Sequence, residues 1–342
     1  MEKVISIIIP TYNMENYLRR CLDSLIVDDE LMSVLEVLVI NDGSKDSSSK
    51  IAHEYESRFP NTFRVIDKEN GNYGSCVNRG VKEAAGKYVK VLDADDWFDN
   101  ESFKSYIAFL KDCSAECVLT DYARVNESGI VWCGEKISLP VGHYDVKDVP
   151  NSVVTKLWMY QVTYQVDNIR KIGYRQTEGI SYTDQEWIFL PLSTCKTWHY
   201  LPVVLYQYLV GREGQTMQKS VVEKNLWMSF QGLDVMLDEY KKLYSGCSDE
   251  GNRILEFRLK TRIKAIYNTC YFQIRTARYT ESLRQLDKKL VNEFPEIISW
   301  LNNEKGSLNY PYIRMFRKKF KRNYAVVWGH NLKIWLRERS RK

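Results

Sequence analysis

Strand-like and helix-like segments alternate along the first 125 residues of this 342-residue chain. Four short apolar runs have the length and β-branched content of buried strands, and they lie at residues 4–9, 36–40, 62–66 and 87–92. Helical patterns separate and follow them at about residues 14–27, 45–58, 75–85 and 100–111. This alternation predicts an α/β fold in which βαβ units build an open, mostly parallel sheet with helices on both faces.

The rest of the chain has a different character. Residues 117–140 show further strand-like runs, and residues 150–210 have a mixed pattern that is rich in Tyr and Trp. Beyond them, apolar residues recur at helical spacing, as at Leu226, Phe230 and Leu233. The sequence therefore predicts three parts, which are an α/β domain at residues 1–215, a helical region at 216–305 and a tail at 306–342.

Charge is distributed unevenly between the tail and the body. Residues 314–342 hold eleven Lys or Arg and one acid, Glu338, so this segment carries +10. The whole chain has 49 basic and 44 acidic side chains, which leaves 38 basic and 43 acidic, a charge of −5, for residues 1–313. A strongly basic segment on a mildly acidic body indicates a polyanionic partner for the tail.

Aromatic residues recur at every fourth position of the tail, at Phe316, Phe320 and Tyr324, between runs of Lys and Arg. A basic helix with an aromatic face is typical of a segment that lies on an anionic membrane surface. A solvated helix packed on the body of the chain is the alternative, and the acidic body disfavours nucleic acid as a partner. No stretch approaches the roughly 18 apolar residues that cross a bilayer.

The opening of the chain and its cysteines indicate the compartment. The apolar run at residues 4–9 is too short for a signal peptide. The eight cysteines form no CxxC pair and no zinc-like cluster. We therefore expect reduced thiols and a cytoplasmic location.

Polar clusters follow three of the four predicted strands. Pro10-Thr11-Tyr12-Asn13 follows the first strand, Asn41-Asp42-Gly43-Ser44 the second and Asp93-Ala94-Asp95-Asp96 the fourth. In open α/β sheets, ligands bind beyond the carboxyl ends of the strands. The three clusters therefore predict a ligand site at one edge of the sheet.

Asp93 and Asp95 place two carboxylates two residues apart at a predicted strand end. Close negative charges raise each other's pKa, so the pair favours a bound cation. Carboxylate oxygens select Mg²⁺ or Mn²⁺, and Mg²⁺ in particular binds one or two carboxylates together with substrate phosphates. The pattern thus indicates a nucleotide diphosphate ligand. The alternative is that Asp95 or Asp96 caps the helix that follows.

Asp42 allows two interpretations. An Asp before Gly at a strand end commonly forms a turn, but the same oxygens could accept from a uracil N–H or a ribose hydroxyl. The sequence has no GxGxxG motif after its first strand and no GxxxxGK[ST] motif. Dinucleotide and P-loop sites therefore lose their main support.

Four motifs, in order, resemble those of the family-2 nucleotide-sugar glycosyltransferases, of the non-processive type that builds bacterial surface polysaccharides. They are SIIIPTYN at residues 6–13, VINDGS at 39–44, NYGSCVNRG at 72–80 and VLDADD at 91–96. The resemblance covers about residues 4–215. It implies the A-type (GT-A) fold, which is a Rossmann-like sheet with a mixed-sheet extension.

The resemblance also implies roles for individual residues. Asp95 is expected to hold a divalent Mn or Mg ion on the diphosphate, and Arg212 begins a segment, 212–216, similar to one that closes over the diphosphate. Many members have Ala-Arg-Asn where this chain has Val77-Asn78-Arg79, so a phosphate-contacting Arg is missing or shifted here. The expected nucleotide-binding residues are Pro10, Thr11, Tyr12, Glu15, Asp42, Asn72, Asp93, Ala94 and Arg212.

A catalytic base is implied in the segment SYTDQEW at residues 181–187, where Thr183 replaces the usual Glu. Asp184 is the predicted base, and Glu186, two residues away, is the second candidate. The alternative for Asp184 is a structural one, in which it caps the helix that follows.

The resemblance as a whole implies an inverting, metal-dependent hexosyltransferase at the inner face of the cell membrane. It would transfer a sugar from a nucleoside-diphosphate sugar, expected to be UDP-linked, to a hydroxyl of a glycan or lipid-linked acceptor in surface-polysaccharide assembly. The chain lacks the QxxRW motif of the processive synthases, so we expect one or a few sugars to be added. A nucleotidyltransferase and a catalytically inactive scaffold are the alternatives, and the sequence leaves homo-oligomerisation open.

Overall fold

The structure is a computed structural model. It describes residues 2–127, 129, 131–212, 219–243, 246–273, 278–305 and 310–339. The chain divides into two compact units, of which the first comprises Met1–Gln215 and Asp238–Arg258 and the second comprises Thr216–Leu237 and Leu259–Lys342. The first unit contains the sheet, and the second is helical where it is described.

Among the described residues, ten strands form a single sheet. They are β1 (Ile5–Thr11), β2 (Leu35–Asn41), β3 (Phe63–Asp67), β4 (Tyr88–Val91), β5 (Trp97–Phe98), β6 (Cys117–Val125), β7 (Val131–Glu135), β8 (Gly142–Asp145), β9 (Val162–Gln165) and β10 (Thr197–Leu209). Their order is β3-β2-β1-β4-β9-β6-β10-β5, with β7 paired to β6 and β8 to β10. The first four strands in this order run parallel, and β9 runs antiparallel to both its neighbours, so the sheet is mixed beyond β4.

Helices cover both faces of the sheet, as predicted. They are α1 (Leu18–Asp23), α2 (Asp29–Val34), α3 (Ser48–Arg58), α4 (Asn72–Glu83), α5 (Asn100–Asp112), α6 (Asn151–Val154), α7 (Val166–Lys171), α8 (Asp184–Trp187) and α9 (Leu190–Thr194). Ile7 and Ile9 of β1 lie in a core with Tyr55 of α3, whereas Ile8 lies in a second core with Val77 of α4. Successive strand residues point to opposite faces, so β1 is buried on both sides.

The predicted helices at 45–58, 75–85 and 100–111 correspond to α3, α4 and α5. The helix predicted at 14–27 is present but shorter, since α1 spans only Leu18–Asp23, and α2, at Asp29–Val34, was not predicted. The mixed pattern at 150–210 contains β9 and the 13-residue β10, which both pair with β6 in the middle of the sheet. β9 is buried along Val162–Tyr164 and therefore lacks the alternation of a half-exposed strand, whereas β10 alternates between buried and partly exposed residues only over 197–200.

The strand register brings the carboxyl ends of the parallel strands together. Thr11 at the end of β1 lies beside Asn41 at the end of β2, which lies beside Asp67 at the end of β3. On the other side of β1, Ile8 pairs with Val91, the last residue of β4. The polar residues that follow these strands therefore start from one edge of the sheet.

Two helices, α10 (Lys219–Leu243) and α11 (Asp249–Asn268), contribute residues to both units. The second unit also contains α12 (Thr280–Glu293), α13 (Pro295–Asn303), α14 (Tyr312–Lys319) and α15 (Tyr324–Arg339). Its buried residues include Ile263, Tyr267 and Leu290. No helix among the residues that the structure describes is long and apolar enough to cross a membrane.

The prediction that Phe316, Phe320 and Tyr324 share one face of a basic helix is wrong. The helix breaks at Phe320, which adopts a left-handed backbone conformation with φ 48°. Before the break, Phe316 is buried in the second unit, whereas Tyr324 after the break is exposed. The tail thus consists of a packed helix, α14, and an exposed helix, α15; residues 306–309 and 340–342 lie outside the described residues.

A buried polar cluster joins β1, β2 and the loop before β4. The hydroxyl of Ser6 donates to Glu36 Oε2 and accepts the N–H of Gly86 at 2.8 Å. The same carboxylate oxygen accepts the N–H of Ala85 at 2.7 Å. A Cβ at residue 86 would lie 2.5 Å from the Ser6 nitrogen, so the close approach of this loop to β1 requires glycine.

We expect Ser6→Ala to lower the free energy of unfolding by about 1–3 kcal/mol, because it leaves the buried N–H of Gly86 without an acceptor. Urea denaturation of the variant and the parent measures this difference. Ser57→Ala is the control, since the Ser57 hydroxyl is exposed and donates within its own helix, and it should change stability by no more than about 0.5 kcal/mol. Equal effects of the two substitutions would contradict the role assigned to Ser6.

Candidate active site

The loops that follow β1 and β2 are joined by hydrogen bonds. Asn13, in a left-handed conformation with φ 54°, donates its N–H to Ser44 Oγ at 3.0 Å, and its Oδ1 accepts the N–H of Lys45 at 2.7 Å. The N–H of Asp42 donates to the carbonyl of Thr11 at 2.8 Å. Pro10 and Thr11 therefore lie beside Asp42, and the next residue, Tyr12, is 45% exposed.

Asp42 is buried and its carboxylate is paired. Its Oδ1 accepts from the ammonium of Lys68, which follows β3, and from the N–H of Gly71 at 2.9 Å. The Lys68 ammonium also donates to Ser75 Oγ at 2.8 Å, on the first turns of α4. The sequence analysis missed Lys68, which fixes the Asp42 side chain.

Glu15 lies in the same region but is bound to the start of α3. Its Oε2 accepts the N–H of Ser47 at 2.9 Å, and its own N–H donates to Asp46 Oδ2 at 3.0 Å. The first N–H groups of a helix have no partner within the helix, so Glu15 satisfies one of them. Its predicted contact with a nucleotide stays a prediction.

The start of α4 lies between the loops that follow β2 and β3 and the segment that precedes α8. Asn72 begins the helix with φ 65°, and a Cβ at Gly74 would lie 2.0 Å from the carbonyl oxygen of Thr177. Asn78 exchanges two hydrogen bonds with the backbone of Gln176, at 2.7 and 2.8 Å. Arg79 projects from the exposed side of α4, where it pairs with Glu83 at 2.9 Å, away from this junction.

Asp93, directly after β4 and Leu92, is held by two tyrosines. Its Oδ1 accepts the hydroxyl proton of Tyr73 at 2.8 Å, and its N–H donates to the hydroxyl of Tyr206 at 3.1 Å. Burial raises the pKa of Asp93 to about 7, and the negative charges of Asp95 and Asp184 add to the rise. The carboxylate thus lies where a cation would stabilise its ionised form.

Asp95 forms an ion pair with Arg212. The guanidinium Nε lies 2.5 Å from Asp95 Oδ2, and both side chains are nearly buried, at 13% and 12% exposure. Arg20 donates to the carbonyl of Asp95 at 3.1 Å, and Ala94 is buried between the two acids. Residues 213–216, the rest of the predicted closing segment, lie outside the described residues.

Asp96 has a structural role instead. It is fully buried, and its two oxygens accept from the hydroxyl of Tyr206 at 2.7 Å and the N–H of Leu209 at 2.8 Å. These bonds hold the end of β10 against the loop after β4. Leu209, the last residue of β10, lies three residues before Arg212. Burial and the negative charges of Asp95 and Asp93 raise the pKa of Asp96 well above its usual range, whereas the hydrogen bonds from Tyr206 and Leu209 lower it.

The three acids can be tested as a cation site on their geometry. One carboxylate oxygen from each of Asp93, Asp95 and Asp96 lies within 4.8 Å of the others. Hard oxygen donors are the ligands that Mg²⁺ and Mn²⁺ prefer, and a positive group, Arg212, already occupies Asp95. The residues therefore fit a divalent cation, which would be held by Asp93 and, in place of Arg212, by Asp95, because both oxygens of Asp96 are bound to β10.

Asp184 is the first residue of α8 and is half-buried. Its Oδ2 accepts the side-chain N–H of Gln185 at 3.0 Å. Its negative charge helps to raise the pKa of both Asp93 and Tyr73, which places it near the acidic cluster. Glu186 is buried, and its Oε2 accepts the N–H of Thr177 at 2.7 Å. The second candidate base thus holds the loop that packs on Gly74.

A buried lysine lies beneath the site and was missed by the sequence analysis. Lys90, in β4, has no exposed surface, and its ammonium donates to the carbonyls of Tyr160 at 2.7 Å and Val162 at 3.2 Å. The ring of Tyr160 packs against Tyr206 with centroids 4.8 Å apart. Lys90 therefore holds Tyr160 against Tyr206, the tyrosine that binds Asp93 and Asp96. Burial lowers the pKa of Lys90 to about 7.

Comparison with known proteins gives a family match over part of the chain. Residues 6–151 match the model of glycosyl transferase family 2. The chain is 35% identical over 124 residues to glycosyltransferase GlyA of Streptococcus pneumoniae, a match that covers 36% of this chain and 17% of that protein. It is 26% identical over 306 residues to hyaluronan synthase of Pasteurella multocida, which covers 84% of this chain and 30% of that protein. The chain thus spans less than a third of the length of either relative.

Solved structures share the fold. Residues 1–349 of TarS from S. aureus, in complex with UDP-GlcNAc, superpose with a TM-score of 0.65 at 20% identity, over 82% of this chain and 79% of that one. The mannosyltransferase PcManGT of Pyrobaculum calidifontis, in complex with GDP-Man and Mn²⁺, gives a TM-score of 0.51 at 15% identity, over 88% and 83%. At these identities the likeness shows the fold alone, which is the GT-A fold predicted from the motifs.

We expect the buried Lys90 to make stability depend on pH. The folded protein releases this proton near pH 7, whereas an ordinary lysine keeps it up to about pH 10.5. Between these values the unfolded state binds more protons, so the free energy of unfolding rises with pH. Relative to Lys90→Met, the parent should gain about 1 kcal/mol or more between about pH 7 and pH 9.

Denaturant titrations of both proteins across this pH range measure the difference. Lys87→Met, which removes the exposed lysine just before the same strand, is the control and should follow the parent. Parallel pH profiles of the parent and Lys90→Met would contradict a neutral Lys90 in the folded state.

Proposed function

We propose, from the match of residues 6–151 to glycosyl transferase family 2, that the chain transfers a sugar from a nucleoside-diphosphate sugar, UDP-linked, to a hydroxyl of a glycan or lipid-linked acceptor in surface-polysaccharide assembly. The observation that carries this proposal is the cluster of Asp93 and Asp95, together with Asp184, whose negative charge helps to raise the pKa of Asp93. Such a site combines charge stabilisation for a leaving diphosphate with a base for the attacking hydroxyl.

The nucleotide would lie along the edge formed by the loops after β1 and β2. We assign the Asp42 carboxylate, whose Oδ1 accepts from Lys68 and Gly71, as the acceptor for a base N–H or a ribose hydroxyl. We assign nucleotide contacts to Pro10, Thr11, Tyr12, Asn72 and Ala94 as well. These assignments agree with the motif resemblance, and each is a proposal of ours.

The chemistry assigned to Asp184 is that of a general base. The acceptor oxygen gives its proton to the Asp184 carboxylate as it forms a bond to the anomeric carbon. The bond from that carbon to the diphosphate breaks on the opposite side, and the nucleoside diphosphate leaves with the electron pair. One such displacement inverts the anomeric centre. Asp184 is preferred to Glu186 because the Glu186 carboxylate is buried and bound to the Thr177 backbone.

A divalent cation, Mn²⁺ or Mg²⁺, would be held by Asp95 with Asp93 and would neutralise charge on the leaving diphosphate. Arg212 now provides the positive charge at Asp95. We propose that the cation displaces this guanidinium, which is then available to the diphosphate. The cytoplasmic face of a membrane is the proposed place of the reaction, where a lipid-linked acceptor would be presented.

We expect Asp184→Asn to lower turnover by about 10²- to 10⁴-fold, the usual contribution of a general base, with UDP affinity changed less than about twofold. UDP release from a panel of UDP-sugars measures turnover, and calorimetry measures binding. Asp167→Asn is the matched control, because Asp167 lies in the first turn of α7 as Asp184 does in α8. The Asp167→Asn control separates the loss of a base from the loss of a carboxylate in the first turn of a helix.

Retained turnover in Asp184→Asn would contradict its role as the base. If Glu186→Gln alone abolished turnover while UDP still bound, the base would be Glu186. Nucleotide binding without turnover in the parent, with every UDP-sugar tested, would favour the inactive scaffold.

The competition between Arg212 and the cation gives a second prediction. Removing the guanidinium in Arg212→Gln should tighten Mn²⁺ binding to the nucleotide-free protein by about fivefold, because a bound ion pair worth about 1 kcal/mol no longer has to be broken. Calorimetric titration with Mn²⁺ measures the affinity. Arg19→Gln, which breaks an exposed pair with Glu54, should leave it unchanged. Unchanged or weaker Mn²⁺ binding in Arg212→Gln would contradict the competition.

A further inference from the structure

Helix α15 exposes a row of large apolar side chains. Tyr324, Trp328, Leu332 and Leu336 recur at every fourth position, so they lie along one face of the helix. Their exposed fractions are 77%, 69%, 37% and 53%. A monomeric protein rarely leaves such a contiguous apolar surface in water without a partner for it.

The start of α15 and its opposite side are fixed to the second unit. Arg322 donates to the carbonyl of Cys270 at 2.8 Å, and the N–H of Asn323 donates to the hydroxyl of Tyr271 at 3.1 Å. His330 stacks on Phe272 with ring centroids 4.0 Å apart. His330 follows Trp328 by two residues, about 200° around the helix, so the apolar face points away from this contact.

Uncompensated positive charge lies in the same part of the chain. Arg314, Lys318, Lys319 and Lys321 are all exposed. None of these four forms an ion pair with a residue that the structure describes, unlike Arg317, which is bound to Asp287. The only acid from residue 314 to the end of the sequence is Glu338.

We propose that α15 lies on an anionic lipid surface, with the face formed by Tyr324, Trp328, Leu332 and Leu336 inserted among the acyl chains. A 16-residue helix with exposed Trp and Tyr beside basic residues has the composition of an interfacial helix. The lysines would contact the lipid phosphates. A second copy of this chain is a poorer partner, because it would bring two uncompensated positive segments together. This surface is independent of the sugar-transfer chemistry.

Within the described residues of the tail, only α15 can supply the apolar surface that enters the membrane. The aromatic Phe316 cannot insert, since it is buried against Tyr271 with ring centroids 5.0 Å apart, and Arg317 is engaged with Asp287. The break at Phe320 separates this packed helix from α15. Lys318, Lys319 and Lys321 sit at the break and supply charge, whereas α15 supplies the apolar face.

Flotation of the full chain with lipid vesicles tests the proposal. We expect binding to vesicles of phosphatidylglycerol mixed with phosphatidylcholine and at least about tenfold weaker binding to phosphatidylcholine alone. Trp328→Ser/Leu332→Ser should weaken binding to the anionic vesicles at least about tenfold, and so should Lys318→Gln/Lys319→Gln/Lys321→Gln. All substituted residues are exposed, so folding should be unaffected, and circular dichroism checks this.

Two matched controls accompany these variants. Trp227→Ser removes another exposed Trp, on α10, and Lys50→Gln/Lys147→Gln/Lys171→Gln removes three exposed lysines elsewhere. Both should bind anionic vesicles like the parent, and UDP binding should be equal in all the proteins, which separates this proposal from the sugar-transfer one. No binding of the parent to anionic vesicles, or equal binding by the α15 variants, would overturn the proposal. A dimer of the parent that Trp328→Ser/Leu332→Ser dissociates would overturn it in favour of a second copy.

Discussion

Three carboxylates within four residues, at the end of one buried strand, impose the constraint on which the site depends. Negative charge that is removed from water must be paired or protonated, or it destabilises the fold. Each acid is compensated by a different partner, Tyr73 for Asp93, Arg212 for Asp95 and Tyr206 for Asp96. These partners come from α4, from the residues after β10 and from β10 itself, so the requirement for compensation brings distant parts of the chain together.

The negative charges of the three acids are compensated by different kinds of partner, and this difference gives the acids different roles. Asp96 uses both oxygens to hold β10, and this contact places Arg212 three residues further along. Asp95 has a cation as its partner, which another cation can replace. Asp93, with a raised pKa and one hydroxyl donor, is the acid that gains most from a second positive charge. The arrangement therefore fits a site that alternates between an internal and an external cation.

The sequence predicted the features that depend on contiguous residues. Strands β1 to β4, helices α3 to α5 and the polar clusters after the strands each arise from local runs, and the family motifs are local as well. Lys68, Tyr73, Tyr206 and Lys90 were not predicted, because their partners lie 20 to 113 residues away in sequence. The break at Phe320 was also not predicted, because the four-residue spacing of the aromatic residues continues across this left-handed residue.

Calorimetric titration of the full chain with UDP, with Mn²⁺ and then with a chelator, tests whether a cation at Asp95 is needed to bind the nucleotide. We expect UDP binding that requires the metal in the parent and disappears in Asp95→Ala, while Asp99→Ala, a substitution at a nearby helix cap, binds UDP like the parent. No UDP binding under any condition, or binding that neither the chelator nor Asp95→Ala affects, would contradict a cation-assisted nucleotide-sugar site at the end of β4.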